Sequence, residues 1–142
     1  MKNIYSNIIK FNSKNLNKVI KTLKKNGIIS LPTETVYGLA GNAYSNISIK
    51  KIFKIKRRLK KNPLIIHYYS LKEAKKDVVL NQNFYKIYKR FSPGPITYIL
   101  KKKNNSRIKS LASANLNTIG IRFPENIITK KILKKLNFPL AM

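Results

Sequence analysis

Gly27–Ala43, GIISLPTETVYGLAGNA, joins a strand signal to a hydroxyl-rich loop. Its apolar, β-branched start predicts a buried strand over Ile28–Leu31. Pro32 ends that strand, and a hydroxyl-rich loop follows at the carboxyl end, where open α/β sheets place their ligands. The thirteen residues Leu31–Ala43 contain no Lys and no Ile, although the chain around them is saturated with both. They offer threonine hydroxyls, one carboxylate and glycines that admit a ligand close to the backbone. This block is the expected functional segment.

Working outward, Ser13 is expected to cap a helix with Leu16, Val19, Ile20 and Leu23 on one face, stopped by Asn26-Gly27. The narrow apolar stripe and the strand that follows favour packing on a sheet over lying on a membrane. Downstream, a second helix starts near Ser45, turns Ile49, Ile52 and Phe53 inward and delivers Lys56, Arg57 and Arg58 at its end. Pro63 opens a strand, LIIH, that ends at His67. Helices are predicted over Leu71–Val79 and Phe84–Phe91, the second divided by SPGP from the strand-like ITYIL. TIGIRFP, from Thr118, reads as a strand with Arg122 near its exit, and a helix spans about Ile127–Leu136. PLAM then reads as the opening of a further strand. Lys101–Lys103 is expected to be a solvated turn.

A chain of 142 residues suits one domain, residues 1–142, and 43% hydrophobic content argues for a folded core. Thirty-one Lys and Arg against four Asp and Glu give a formal charge of +27, which would draw nucleotides, tRNA or anionic membrane. AT-rich coding also inflates Lys, Asn, Ile, Tyr and Phe, so the charge has a compositional reading beside the functional one. Without Cys and with a single His, the chain lacks the ligands for a zinc or iron–sulfur site. A soluble, cytoplasmic protein without a membrane span is expected. MKNIYSNIIKFNSKN is too polar for a secretory signal.

Elimination narrows the chemistry. A Ser-His-Asp triad would have to use His67 with Glu34, Glu73, Asp77 or Glu125, and two-carboxylate hydrolysis must draw on the same four acids. Glu73 and Asp77 fall on a predicted solvent-facing helix. There is no GxxxxGK[ST] phosphate loop. Hydroxyls, cations and backbone amides are left, and they suit electrostatic work on phosphate. Lys56 as a point charge and Arg58 as a planar fork could neutralise a triphosphate while Thr33 and Thr35 orient a second substrate. Taken singly, each group has a plainer reading: a charged helix end for Lys56 and Arg58, a half-buried strand end for His67, an ion pair with Glu125 for Arg122.

LPTETVYGLAGNA, KIFKIKRRLKKNPLIIH, FSPGPITYILK and TIGIRFP, in this order, closely resemble the YrdC-like threonylcarbamoyl-AMP synthase family from about Leu16 onward. The resemblance implies an α/β fold, a twisted open mixed sheet with flanking helices and a basic groove. It implies synthesis of threonylcarbamoyl-AMP and pyrophosphate from L-threonine, bicarbonate and ATP, with Mg²⁺ carried by the phosphates. The product is the donor for threonylcarbamoyladenosine in tRNA, which brings in tRNA and a tRNA threonylcarbamoyl-transfer complex as partners. By the same resemblance Thr35, His67 and Arg122 contact threonine, Tyr37 lines the pocket, and Lys56, Arg58, Asn62 and Thr118 contact ATP. No resident metal site is implied.

Two departures stand out. Arg57 and Leu59 replace the family's usual glycine and proline around the KxR pair, which a helix end or loop should tolerate. The family also continues beyond PLAM into a Ser-x-Asn motif that completes the ATP site, so the chain is expected to be short at its C-terminal end, with a sheet edge or face left open. Ser113-Ala114-Asn115 precedes the IGIR strand and reads as coincidence. Two other readings follow from that shortness: a non-catalytic module binding tRNA or double-stranded RNA, and an inactive truncated remnant.

Overall fold

A computed structural model describes residues 8–142. The first seven residues of the segment read above as free of a secretory signal lie outside the described residues.

The chain enters through α1 (Ser13–Lys24), β1 (Ile28–Pro32), β2 (Tyr37–Asn42) and α2 (Asn46–Lys56). It continues through β3 (Ile65–His67), α3 (Leu71–Ala74), α4 (Gln82–Phe91), β4 (Tyr98–Lys101), β5 (Thr118–Arg122), α5 (Ile127–Lys135) and β6 (Leu140–Ala141). Among the described residues the strands form an open, mixed six-stranded sheet in the order β1-β2-β6-β3-β5-β4. Only β3 and β5 pair in parallel; the other neighbours are antiparallel.

Each face of the sheet has its own core. Ile66, Ile119, Ile121 and Ala141 point to one side and meet Ile49, Ile52 and Phe53 of α2. Leu31, Ala40, Leu140 and Met142 point to the other, where Leu23 of α1, Ile132 and Leu133 of α5 and Leu136 just after it cover them. Each fully buried Ile or Leu contributes about 1.5–3 kcal/mol to holding these layers. Gly41 lets α2 lie flat on β2, because a Cβ there would stand 3.0 Å from Ser48 Cβ and 3.1 Å from Ile28 Cγ2.

Four expectations change. The cap of α1 is Asn12, whose extended backbone lets its side chain accept from Asn15 N at 2.8 Å, so Ser13 is the first helical residue. The segment after Pro32 is a loop only as far as Val36; Tyr37–Asn42 forms β2 and pairs with β1 along its length. The helix from Leu71 stops at Ala74, since Asp77 turns inward and Val78 bridges to Lys102. Lys101 therefore belongs to β4, and Lys103 donates to Lys75 O at 2.6 Å rather than standing free in a turn. PLAM does form a strand, and β6 lies in the middle of the sheet, between β2 and β3.

Asp77 is buried, not solvent-facing. It accepts from Tyr44 Oη at 2.7 Å, Tyr68 Oη at 2.9 Å, Ser106 Oγ at 2.8 Å and the Arg107 amide at 3.0 Å. Burial and the adjacent carboxylate push both tyrosines' pKa values up.

Candidate active site

Four adjacent strands, β2, β6, β3 and β5, bring five residues to the same side of the sheet. Gly38 of β2, Met142 just past β6, Ile65 and His67 of β3, and Arg122 of β5 line a pocket of about 270 Å³. The register explains the grouping: His67 sits beside Arg122 and across from Leu140, and Ile65 exchanges backbone hydrogen bonds with Met142 at 3.0 Å. The turn before β2 adds Thr33, Thr35 and Val36, and the segment from the end of α2 to β3 adds Lys56, Arg58 and Pro63.

The turn is tied from within and from without. Thr33 Oγ1 donates to Val36 O and accepts from the amides of Val36 at 3.3 Å and Thr35 at 3.4 Å, so its hydroxyl serves the turn. Thr35 is exposed at the pocket mouth. Outside the turn, Glu34 Oε1 accepts from Glu125 N at 2.5 Å and Asn126 N at 3.2 Å, while Thr129 Oγ1 donates to Pro32 O at 2.6 Å. Burial works against a charged Glu34, but hydrogen bonds from its own amide and those of Glu125 and Asn126, with Arg122 nearby, outweigh it and hold the carboxyl below its usual range.

The cations are placed by different means. Ser45 caps α2 by accepting from Ser48 N, and Arg57 closes the helix in the left-handed region at φ 48°. The chain then reverses, and Arg58 donates from Nε to Asn62 O at 3.1 Å and from Nη2 to Pro63 O at 2.9 Å. Two carbonyls thus fix the guanidinium plane before any ligand arrives. Lys56, two residues earlier at the end of α2, is exposed and lines the pocket. Arg122 donates to Thr97 Oγ1 from Nη2 at 2.8 Å and from Nε at 3.2 Å; Glu125, its expected ion partner, instead gives its amide to Glu34.

His67 is only 2% exposed. Burial and the positive charge of Arg122 push its pKa down to about 4, so the ring is neutral at pH 7. Nδ1 lies 3.3 Å from Ile65 O and carries the proton in that contact, leaving Nε2 a buried acceptor without a protein partner. The pocket therefore offers three cations, a neutral imidazole acceptor and threonine hydroxyls. Such a set can neutralise phosphates, clamp a carboxylate and accept one N–H or O–H.

The structure brings Thr33, Thr35, Lys56, Arg58, His67 and Arg122 to one cavity. It does not bring Tyr37, Asn62 or Thr118 there. The Tyr37 side chain is 72% exposed; Asn62 contributes its carbonyl to Arg58; Thr118 begins β5, at the far end of the strand from Arg122. Ser113–Asn115 lies in a turn away from the pocket, with Ser113 donating to Ser110 O. Sequence reasoning missed Glu34, Thr97 and Met142. Glu34 had a signal, being the one acid inside the hydroxyl-rich block; Met142 had none. A second groove, of about 520 Å³, between Asn26, Tyr44 and Arg107 holds none of the predicted site residues. Among the described residues no three His, Cys, Asp or Glu come together as metal ligands, and no helix is long and apolar enough to cross a membrane.

Fold and pocket together define an α/β protein with an open mixed sheet and a cationic pocket against one face. The chain belongs to the Sua5/YciO/YrdC family, described as "Telomere recombination", whose sequence profile matches residues 21–142. It is 33% identical over 121 residues to the threonylcarbamoyl-AMP synthase of Bacillus subtilis, covering 84% of this chain and 34% of that protein. It is likewise 33% identical over 122 residues to the threonylcarbamoyl-AMP synthase of Pyrococcus abyssi, covering 84% and 35%. The crystal structure of P. abyssi Sua5 complexed with L-threonine superposes with a TM-score of 0.87 at 29% identity, over 94% of this chain and 39% of that one. The match thus spans about a third of the length of either synthase.

Proposed function

We propose that this chain is a threonylcarbamoyl-AMP synthase-type protein, which joins L-threonine, bicarbonate and ATP into threonylcarbamoyl-AMP with release of pyrophosphate. The supporting observation is the convergence of Lys56, Arg58 and Arg122 with the Thr33–Val36 turn and an uncharged His67 on one cavity. Two relatives named for that activity and a similar fold solved with L-threonine point the same way.

In this reading the threonine carboxylate pairs with Arg122, and Thr35 and His67 Nε2 meet the amino acid's polar hydrogens. The free threonine amine forms an N–C bond to the carbon of bicarbonate as a C–O bond breaks and water leaves, and the resulting carbamate presents an oxygen to the α-phosphorus of ATP. That oxygen forms the new bond as the bond to pyrophosphate breaks. Lys56 and Arg58 neutralise the charge that gathers on the phosphate oxygens, and alignment supplies much of the remainder. At about 270 Å³ the pocket suits an amino acid and phosphates, so the adenosine extends beyond it. The pocket is rich in cations and poor in carboxylates, which fits magnesium arriving on the triphosphate as part of the substrate. The adduct would pass to tRNA through a transfer complex in the cytoplasm.

The test is pyrophosphate release by the purified chain with MgATP, omitting threonine or bicarbonate in turn. Release that needs both supports the proposal. Release indifferent to threonine, or binding of neither threonine nor ATP by calorimetry, would sink it.

A further inference from the structure

We infer that Glu34 is a positioning residue that straps the Thr33–Val36 turn to the β5–α5 junction, holding two sides of the pocket in one geometry. This deepens the reading of the pocket as an amino-acid and nucleotide site and rests on it.

The two segments are far apart in sequence and joined at two points. Glu34 Oε1 takes the amides of Glu125 and Asn126, 91 and 92 residues away, and Thr129 Oγ1 binds Pro32 O across 97 residues. One segment carries Thr33, Thr35 and Val36 into the pocket; the other begins three residues after Arg122. Their spacing decides whether groups on both sides reach one small ligand.

The division of labour around Glu34 supports this role. Asn126 Oδ1 already caps α5 by accepting from Ile128 N at 3.0 Å and Thr129 N at 3.3 Å. Glu34 takes the amide of the cap residue itself and that of Glu125 before it, at the positive end of the helix dipole. Inside the turn, Thr33 supplies the internal bonds, so Glu34 is left to make the outward tie. Its second oxygen, Oε2, is buried without a hydrogen-bond partner, which leaves the carboxylate's charge close to Arg122 and His67.

Amide hydrogen exchange and L-threonine titration on the full chain test the strap, comparing wild type with Glu34→Ala and Glu34→Gln. Glu34→Ala should speed exchange at Glu125, Asn126, Thr35 and Val36 at least tenfold and weaken threonine binding at least tenfold. Glu34→Gln keeps an oxygen acceptor and should restore both to within threefold of wild type, a rescue that loss of bulk packing would not produce. Unchanged exchange at Thr35 and Val36, unchanged threonine affinity, or equal damage from Ala and Gln would overturn the inference. Should the Ala variant not fold, Thr129→Val leaves Glu34 as the remaining tie and must keep threonine affinity within threefold; a tenfold loss would overturn the role given to Glu34. A wild-type chain that binds no threonine would instead sink the reading of the pocket, and the exchange pattern would still decide the strap.

Discussion

His67 and Arg122 are register partners on the parallel strands β3 and β5, so an arginine charge sits beside a buried imidazole. The pair can coexist only while the histidine is neutral. Its folded pKa, about 4, lies below the unfolded value of 6.5, so the unfolded chain takes up a proton first as pH falls. His67's contribution to stability is thus present above pH 6.5 and is lost between 6.5 and 4, at up to about 1.4 kcal/mol per pH unit. Urea unfolding at pH 7 and pH 5, with and without His67→Gln, checks this: wild type should lose stability and the variant should lose less. An NMR titration placing His67 near 6.5 would contradict the burial argument.

Arg58 should matter through its fork geometry as well as its charge. Arg58→Ala is expected to weaken ATP binding by about 1.5–3 kcal/mol, the range for a lost charged hydrogen bond. Arg58→Lys should recover only part of it, because one ammonium cannot span the carbonyls of Asn62 and Pro63 and still meet a phosphate. Calorimetric titration of MgATP into the three proteins decides the point, and equal affinities would remove Arg58 from the nucleotide site.

Arg57 closes α2 at φ 48°, a conformation that a Cβ disfavours and glycine accepts freely. Arg57→Gly should therefore raise stability by up to about 1 kcal/mol, part of the gain being offset by the looser unfolded chain. Thermal unfolding of the two proteins in parallel is the measurement. A drop in midpoint would mean that the arginine side chain holds something the backbone argument ignores.

Asp77 is a hub for four donors, two of them tyrosine hydroxyls held in the core. Asp77→Ala strands those donors and should cost about 3–5 kcal/mol. Asp77→Asn, which keeps an acceptor oxygen, should cost less. Denaturant midpoints of both variants test this, and a small loss in the Ala variant would show that water replaces the carboxylate.

What the sequence made legible follows from how locally each feature is determined. A start near Ser45 and an inward face of Ile49, Ile52 and Phe53 are set within one helix, and α2 formed as expected. β2 escaped notice because Gly38 and Gly41 disfavour strands by themselves; pairing with β1 and β6 makes the strand. The helix from Leu71 was read too long because Asp77 satisfies the helical spacing of a surface position, while its actual partners are Tyr44 and Ser106, about thirty residues away in either direction. In the pocket, Lys56, Arg58, His67 and Arg122 stood in the motifs that carry the family resemblance, and the end of α2 with the ends of β3 and β5 brings them together. Tyr37 and Thr118 shared those motifs but are not among the residues that line the pocket. Glu34's tie could not be read, because its acceptors' partners lie ninety residues downstream.

The position of β6 has a consequence for how the molecule is built. Synthesis from the N-terminus yields the β1–β2 hairpin and the β3–β5–β4 group before Leu140 and Ala141 appear between them. This short segment therefore stitches two half-sheets together, and its pairs join Ala141 to Ile66 and to Gly41, the long-range kind of contact that slows folding. Met142, which exchanges backbone hydrogen bonds with Ile65 at 3.0 Å, is seated by the same stitch, so one wall of the pocket depends on the seam between the two half-sheets.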